Sequence, residues 1–250
     1  MSIDKSLKNI KAVFKRELVG YFGSPLAYVV MVIFLIMLGF LTFNVSHFYE
    51  IGQANLRPFF EWHPWVFLFL IPAVTMRLWA EEWRLGTLEL IMTLPIRAGE
   101  AILGKFLAAW AFIGISLLFT LPMVFTVLYL GNPDMGTIIC AYIGSFLMAG
   151  AFLSIGLFTS SLTRSQVVGF IIGVTICFFF ILVGYPPVTR LLMGWAPMWA
   201  IDAAMNLSFL THYQAIQRGV LDIRDFVYFL SIMAFMLFAN GVVLHNRRTS

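Results

Sequence analysis

The chain has 250 residues, 61% of them hydrophobic and 16% aromatic, with only 11% charged and a mean hydropathy of +0.92. A soluble domain of this length carries roughly twice that share of charged side chains, so the composition excludes one and predicts an integral membrane protein. The formal net charge of +4 does not signal nucleic-acid binding, because the basic residues stand at the ends of apolar runs.

The lead "SLKNIKAVFKRELVGYF" (Ser6–Phe22) puts Leu7, Ile10, Phe14, Leu18 and Tyr21 on one helical face, with the lysines, Lys15 among them, and Arg16 on the other. This spacing predicts an amphipathic helix lying in the plane of the membrane, with Ser24-Pro25 supplying the bend into the first span. A positively charged topogenic tail is the plainer alternative. The first apolar run follows this lead with no cleavage site before it, so no signal peptide is expected.

About 20 residues cross the hydrocarbon core as a helix. Six runs meet or approach that length: Leu26–Phe43, Trp62–Ala80, Phe106–Tyr129, Thr137–Leu162, Val167–Tyr185 and Phe226–Leu244. They are continuously apolar rather than alternating, which predicts helices and not a barrel. Charge inside them is almost absent; Arg77, near the end of the second, can snorkel to the interface. Of the 16 Lys and Arg residues, all but Arg57, Arg190, Arg218 and Arg224 fall on one side of the resulting topology. The positive-inside rule makes that side, with both termini, cytoplasmic, and the membrane the cell's inner one.

On the other side lie a connection at Asn44–Glu61, a tight "GNPDMG" turn at Gly131–Gly136, and a long connection at Pro186–Asp225. The last is too apolar for a solvated loop. Short helices in the outer interface, or a re-entrant pair, fit it. The fold class expected is all-α: one polytopic domain over residues 1–250 with six transmembrane helices, a helical lead, a charged cytoplasmic helix and short outer helices between spans five and six.

Several patterns in the chain mimic chemistry. Gly99–Lys105, "GEAILGK", has P-loop spacing, but Phe106 stands where a Mg²⁺-binding Ser or Thr belongs and no strand precedes it, so no ATPase or other catalytic site is expected. Cys140 and Cys177 lie inside apolar runs and predict buried thiols. His47, Glu50, Glu61, His63 and His212 lie on the outer side, where ordinary interfacial hydrogen bonding outweighs a metal site; no bound metal or cofactor is expected. Gly169 and Gly173, and the small residues Gly150, Ser154, Gly156 and Ser160, allow close packing or self-association. No buried carboxylate or charge pair is seen to mark an ion path, which disfavours ion-coupled transport.

The stretch "AEEWRLGTLELIMTLP" (Ala80–Pro95) gathers Glu81, Glu82, Arg84 and Glu89 between apolar runs. Thr87 can cap a short helix with Leu88, Ile91 and Met92 on one side, ended by Pro95. A loop shaped only by topology would be basic, and this one is as acidic as it is basic. The pattern predicts an apolar knob flanked by carboxylates, suited to docking in a groove of another protein.

Taken with the helical lead and six spans, this stretch resembles the coupling element of type-2 ABC exporter permeases, specifically the gliding-motility-associated (GldF-type) subgroup. The likeness runs through "FKRELVGYFGSPLAYVV" (Phe14–Val30), "MRLWAEEWRLGTLELIMTLPIRAGEAILGKFLA" (Met76–Ala108) and "HYQAIQRGVLDIRDFVYFLS" (His212–Ser231). Its core is Glu81, Glu82, Gly86, Thr87 and Glu89. The resemblance implies an interface with a separate ATPase subunit, which would bind the ATP and Mg²⁺, and a second permease chain as a homodimer or heterodimer. It also implies room for a partner with a large outer domain, and a role in export or in force transmission. An ATP-independent membrane scaffold is the alternative. No nucleic-acid partner is expected; membrane lipid surrounds the chain.

Overall fold

A computed structural model describes residues 3–50, 52–86, 96–192, 194 and 196–248, and among them the fold is helical throughout. The helices are α1 (Ile3–Gly23), α2 (Pro25–Phe40, prolonged by a π-turn at Leu41–Val45), α3 (Arg57–Phe60), α4 (His63–Thr75), α5 (Arg77–Leu85), α6 (Ala98–Leu118) and α7 (Leu121–Leu130). There follow α8 (Met135–Leu162), α9 (Gln166–Leu182), α10 (Pro186–Leu192), α11 (Met198–Leu207), α12 (Phe209–Gln217) and α13 (Ile223–Arg248). Five stretches are long and apolar enough to cross a membrane: Pro25–Val45, Arg57–Leu85, Ala98–Leu130, Met135–Leu162 and Ile223–Asn246. The remaining apolar run forms the shorter helix Gln166–Leu182.

The bundle is built around α8. Asp134 caps its start, accepting from the Gly136 and Thr137 amides at 2.9 and 3.4 Å; such a cap contributes about 1 kcal/mol. Its small residues let neighbours approach on several sides. A Cβ on Gly144 would meet Ile216 and Tyr213 of α12, one on Gly150 would meet Met233 of α13 and Trp110 of α6, and one on Gly156 would stand 2.0 Å from Thr75 Oγ1 of α4. The Gly169 and Gly173 pair is used in the same way, facing Thr163, Ser160 and Thr159, with Pro72 beyond Gly173. These glycines therefore serve packing within the chain. Cys140 and Cys177 are buried and free, as their positions predicted.

The second span is broken by its own sequence. Pro72 lies inside α4, and the run turns at Met76 before resuming as α5. The first amides of a new helix have no partner within it. Ser160 of α8 supplies one: its Oγ accepts from the Trp79 and Ala80 amides at 3.0 and 3.2 Å and donates to the Met76 carbonyl at 2.9 Å.

The lead forms a helix, and the Ser24-Pro25 bend is present with Pro25 in the first turn of α2. Its direction relative to the bundle is set by its contacts. Asn9 meets Glu100, Val13 meets Gly104 and Tyr21 stacks on Phe112, so α1 advances in step with the first half of α6 and runs parallel to it. Gly104 is what allows this, because a Cβ there would stand 2.6 Å from Val13 Cγ1 and 3.2 Å from the Ile10 carbonyl oxygen. The buried side is also a flank of the predicted apolar face. Val13 and Tyr21 are buried, Ile10, Phe14 and Leu18 are half-buried, and Leu7 is 60% exposed with Lys15 and Arg16.

The long connection after α9 folds as three short helices among the described residues. α10 and α11 expose apolar surface, Trp199 being 74% exposed. α12 instead buries Phe209, Tyr213 and Ile216. His212 joins this helix to its neighbours, its Nδ1 lying 2.6 Å from Asp225 Oδ1 and its Nε2 2.9 Å from the Asn206 carbonyl oxygen. His63 is buried among Phe34, Phe59, Phe60 and Phe67. Among the described residues no three metal-ligating side chains come together.

Candidate functional site

Ala80–Pro95 enters the structure as the second half of α5. Gly86 ends that helix in the left-handed region (φ 70°), which explains a glycine there: the carbonyls of Glu82 and Trp83 are closed by its amide. Glu81 is half-buried, and Arg84, Leu85 and Gly86 are exposed. Thr87, Leu88, Glu89, Ile91 and Met92 lie outside the described residues.

Glu82 is placed differently from its neighbours. Its side chain is 15% exposed and turns inward, where Oε1 accepts from Lys105 Nζ at 2.7 Å. Lys105, in the second turn of α6, is 3% exposed. Its ammonium also donates to Glu17 Oε1 of α1 at 3.2 Å and to the Leu78 carbonyl of α5 at 3.0 Å, so all three protons are engaged. The Trp79 ring lies 5.0 Å away and adds a cation–π contact. Arg16 completes the cluster, 2.6 Å from Glu17 Oε1 and 3.9 Å from Glu82 Oε1. Two carboxylates thus balance two cations, the condition for keeping charge out of water.

Burial raises the Glu17 carboxyl pKa, but Lys105 and Arg16 outweigh it and hold the group below its ordinary 4.5. A buried charge cluster was not foreseen from sequence, where the expectation was only that no buried carboxylate or charge pair marks an ion path. It lies where α1, α5 and the start of α6 meet, at one end of the bundle, and not midway along a span.

More bonds tie the same three helices together. Glu100 Oε2 accepts from Asn9 Nδ2 at 2.8 Å and from the Arg97 amide at 3.1 Å, closing the start of α6. Arg77 Nη1 reaches Ser24 Oγ at 3.5 Å and its guanidinium lies over the Tyr21 ring. Arg164, beyond α8, lies over Trp83. The false P-loop thereby finds its use. Glu100, Gly104 and Lys105 bind α1 and α5, and no phosphate cradle is formed by them.

Of the predicted residues, the structure brings together Glu82, Arg16 and the half-buried side of α1. It leaves Arg84, Leu7 and Lys15 exposed and Glu81 half-buried. Glu17, Asn9, Lys105 and Ser160 were missed as site residues. One signal was present: Glu17 interrupts the apolar side of the lead, and Lys105 stands at the mouth of a span.

Lys105 thus bonds α1 and α5 to α6, and Ser160 bonds α5 to α8. No curated protein sequence matches the chain. Residues 65–249, from α4 to the end of α13, match the family model for ABC-2 family transporter proteins. The chain therefore belongs to the ABC-2 family, as a multi-pass membrane component of an ABC transporter.

Proposed function

We propose that this chain is the permease subunit of a type-2 ABC exporter of the gliding-motility-associated kind, forming one domain over residues 1–250 with six spans. ATP and Mg²⁺ bind to a separate ATPase subunit, which docks on Ala80–Pro95 at the cytoplasmic face of the inner membrane. Closure of two ATPases moves this segment, and the movement drives export or mechanical work across the membrane. Two permease chains act together, as a homodimer or with a different membrane subunit, and an accessory partner with a large outer domain completes the assembly.

The observation that carries this reading is the anchoring of α5. The helix leading into Ala80–Pro95 is held by Lys105 to α1 and α6 and by Ser160 to α8. A pull on its exposed end is thus delivered to three other helices. Within the docking face, Glu81, Arg84, Leu85, Leu88, Glu89, Ile91 and Met92 are assigned to the ATPase contact, and Glu82 to the internal anchor. Leu7, Lys15 and Arg16 on the outward side of α1 provide a second contact.

The test is coupled ATPase activity in a reconstituted complex. Leu88→Asp or Glu89→Arg is expected to abolish stimulation by the permease while the variant still inserts and elutes as the parent does. Full activity in both variants would overturn the docking assignment and favour an ATP-independent scaffold.

A further inference from the structure

The far end of the Arg57–Leu85 run holds a cavity of about 260 Å³, where α3, the first turns of α8 and the last turn of α12 meet. Its floor is apolar, with Leu56, Phe60 and Ile138; its rim carries Arg57, Glu61, Gln214 and Arg218. Hydrogen bonds between elements fix the frame. The Tyr213 hydroxyl donates to the Phe60 carbonyl at 2.9 Å, and Gln217 Nε2 donates to the Arg57 carbonyl at 3.2 Å. Arg57 Nε is paired with Glu61 Oε1 at 3.1 Å.

Two donors on the wall have no such use. The Arg218 guanidinium and the Gln214 amide engage no side-chain hydrogen bond or ion pair among the described residues. Gln214 is in the last turn of α12, and Arg218 caps its end four residues on, so the two lie on the same side. Gly219 follows with φ 86°, and a Cβ there would lie 3.1 Å from Thr137 Cγ2. Arg218 is thereby placed at the mouth, where the end of α12 closes onto α8.

The depth of the cavity indicates its ligand. Arg57–Leu85 and Met135–Leu162, 29 and 28 residues long, both begin here. Met135–Leu162 is one unbroken helix about 42 Å long, against a hydrocarbon core of about 30 Å, so its first turn reaches the headgroup layer, and α3 packs beside that turn. A phosphodiester there presents the acceptors that a guanidinium fork and an amide bind. The volume lies below the roughly 300–1,000 Å³ of pockets for drug-sized ligands and suits a single headgroup.

We propose that this cavity binds the headgroup of a membrane phospholipid, its phosphodiester against Arg218 and Gln214, and an ammonium-bearing headgroup is favoured by Glu61. The ligand is independent of the transported cargo, and the inference does not rest on ATP coupling.

The experiment uses the full chain, purified in detergent and stripped of lipid, with short-chain phosphatidylethanolamine or phosphatidylglycerol added and bound lipid counted by native mass spectrometry. One tightly held lipid per chain is expected, with the ethanolamine headgroup preferred. Arg218→Glu combined with Gln214→Leu weakens that binding by about tenfold or more, equivalent to at least about 1.4 kcal/mol. Glu61→Gln shifts the preference toward the glycerol headgroup. Undiminished binding in the double variant, with helicity and elution volume unchanged, would overturn the proposal. So would soluble phosphoethanolamine binding as tightly as the lipid and displacing it, which would make this a site for a free phosphoester. Failure of phosphoethanolamine to compete supports the lipid.

Discussion

The two ends of the Arg57–Leu85 run are closed by different chemistry. At the Leu85 end, Glu17, Glu82 and Lys105 come from three helices and bury their charge together. At the Arg57 end, hydroxyl and amide groups of Tyr213 and Gln217 bond to backbone carbonyls beside a cavity with donors to spare. Neutral bonds of the second kind contribute about 1 kcal/mol each and yield singly. A buried ion cluster fails as a unit, because removing one member strands the others without a partner. The coupling proposed above uses the first end, and the lipid site proposed above the second.

The largest effect separating the two ends is expected at Lys105. Lys105→Met leaves two carboxylates buried without their ammonium and should cost about 3–5 kcal/mol, read as a lowered Tm in detergent. Adding Glu17→Gln and Glu82→Gln removes the stranded charge and should recover most of that stability. Tyr213→Phe, which deletes a neutral bond at the far end, should cost about 1 kcal/mol. Equal losses for Lys105→Met and Tyr213→Phe would erase the contrast.

The sequence shows the two ends to different degrees. Apolar run length picked out the five helical stretches long enough to cross a membrane and the shorter Gln166–Leu182, and the acid-rich stretch at Ala80–Pro95 stood out in a chain with few charges. Glu17 and Lys105 are 88 positions apart, and Lys105 and Glu82 are 23 apart, so spacing on one helix could not pair them. Periodicity showed that the lead is amphipathic, but an apolar face does not say which of its flanks meets protein. The same limit applies to the glycines. Gly169 and Gly173 read equally well as a dimer seam or an internal contact until Thr159 and Pro72 are seen opposite them. The cavity gave no sequence signal, because its walls come from three distant segments.

A smaller effect is expected at Ser160, which lies between the two ends. Ser160→Ala leaves the amides of Trp79 and Ala80 buried without their acceptor, at about 1–3 kcal/mol. Hydrogen exchange at those two amides should quicken, while amides in α12 keep their protection. Faster exchange spread evenly over the bundle would mean that the turn at Met76 is not a separate joint. A local effect would place the flexible point of the second span between its two differently closed ends.

Acidity supplies the finest distinction. The Glu17 carboxyl is held below its unfolded-state value of 4.5, since Lys105 and Arg16 outweigh the burial that would raise it. A group depressed in this way stabilises fully above the unfolded value, and its contribution is lost as pH falls through the folded one. Exchange in α1, corrected for intrinsic rate, should therefore be unchanged from pH 7 to about 5 and should rise as the medium is taken below about 4.5. In Glu17→Gln the attachment of α1 is weaker at neutral pH and that rise is smaller, because only Glu82, on the same Lys105, and Glu100, bound to Asn9 of α1, remain to take up protons. The comparison matters more than the size of the change. If α1 in the parent held its protection through the acid range, the contact with Lys105 would be dispensable, and packing of Val13 on Gly104 would be enough to keep the helix in place.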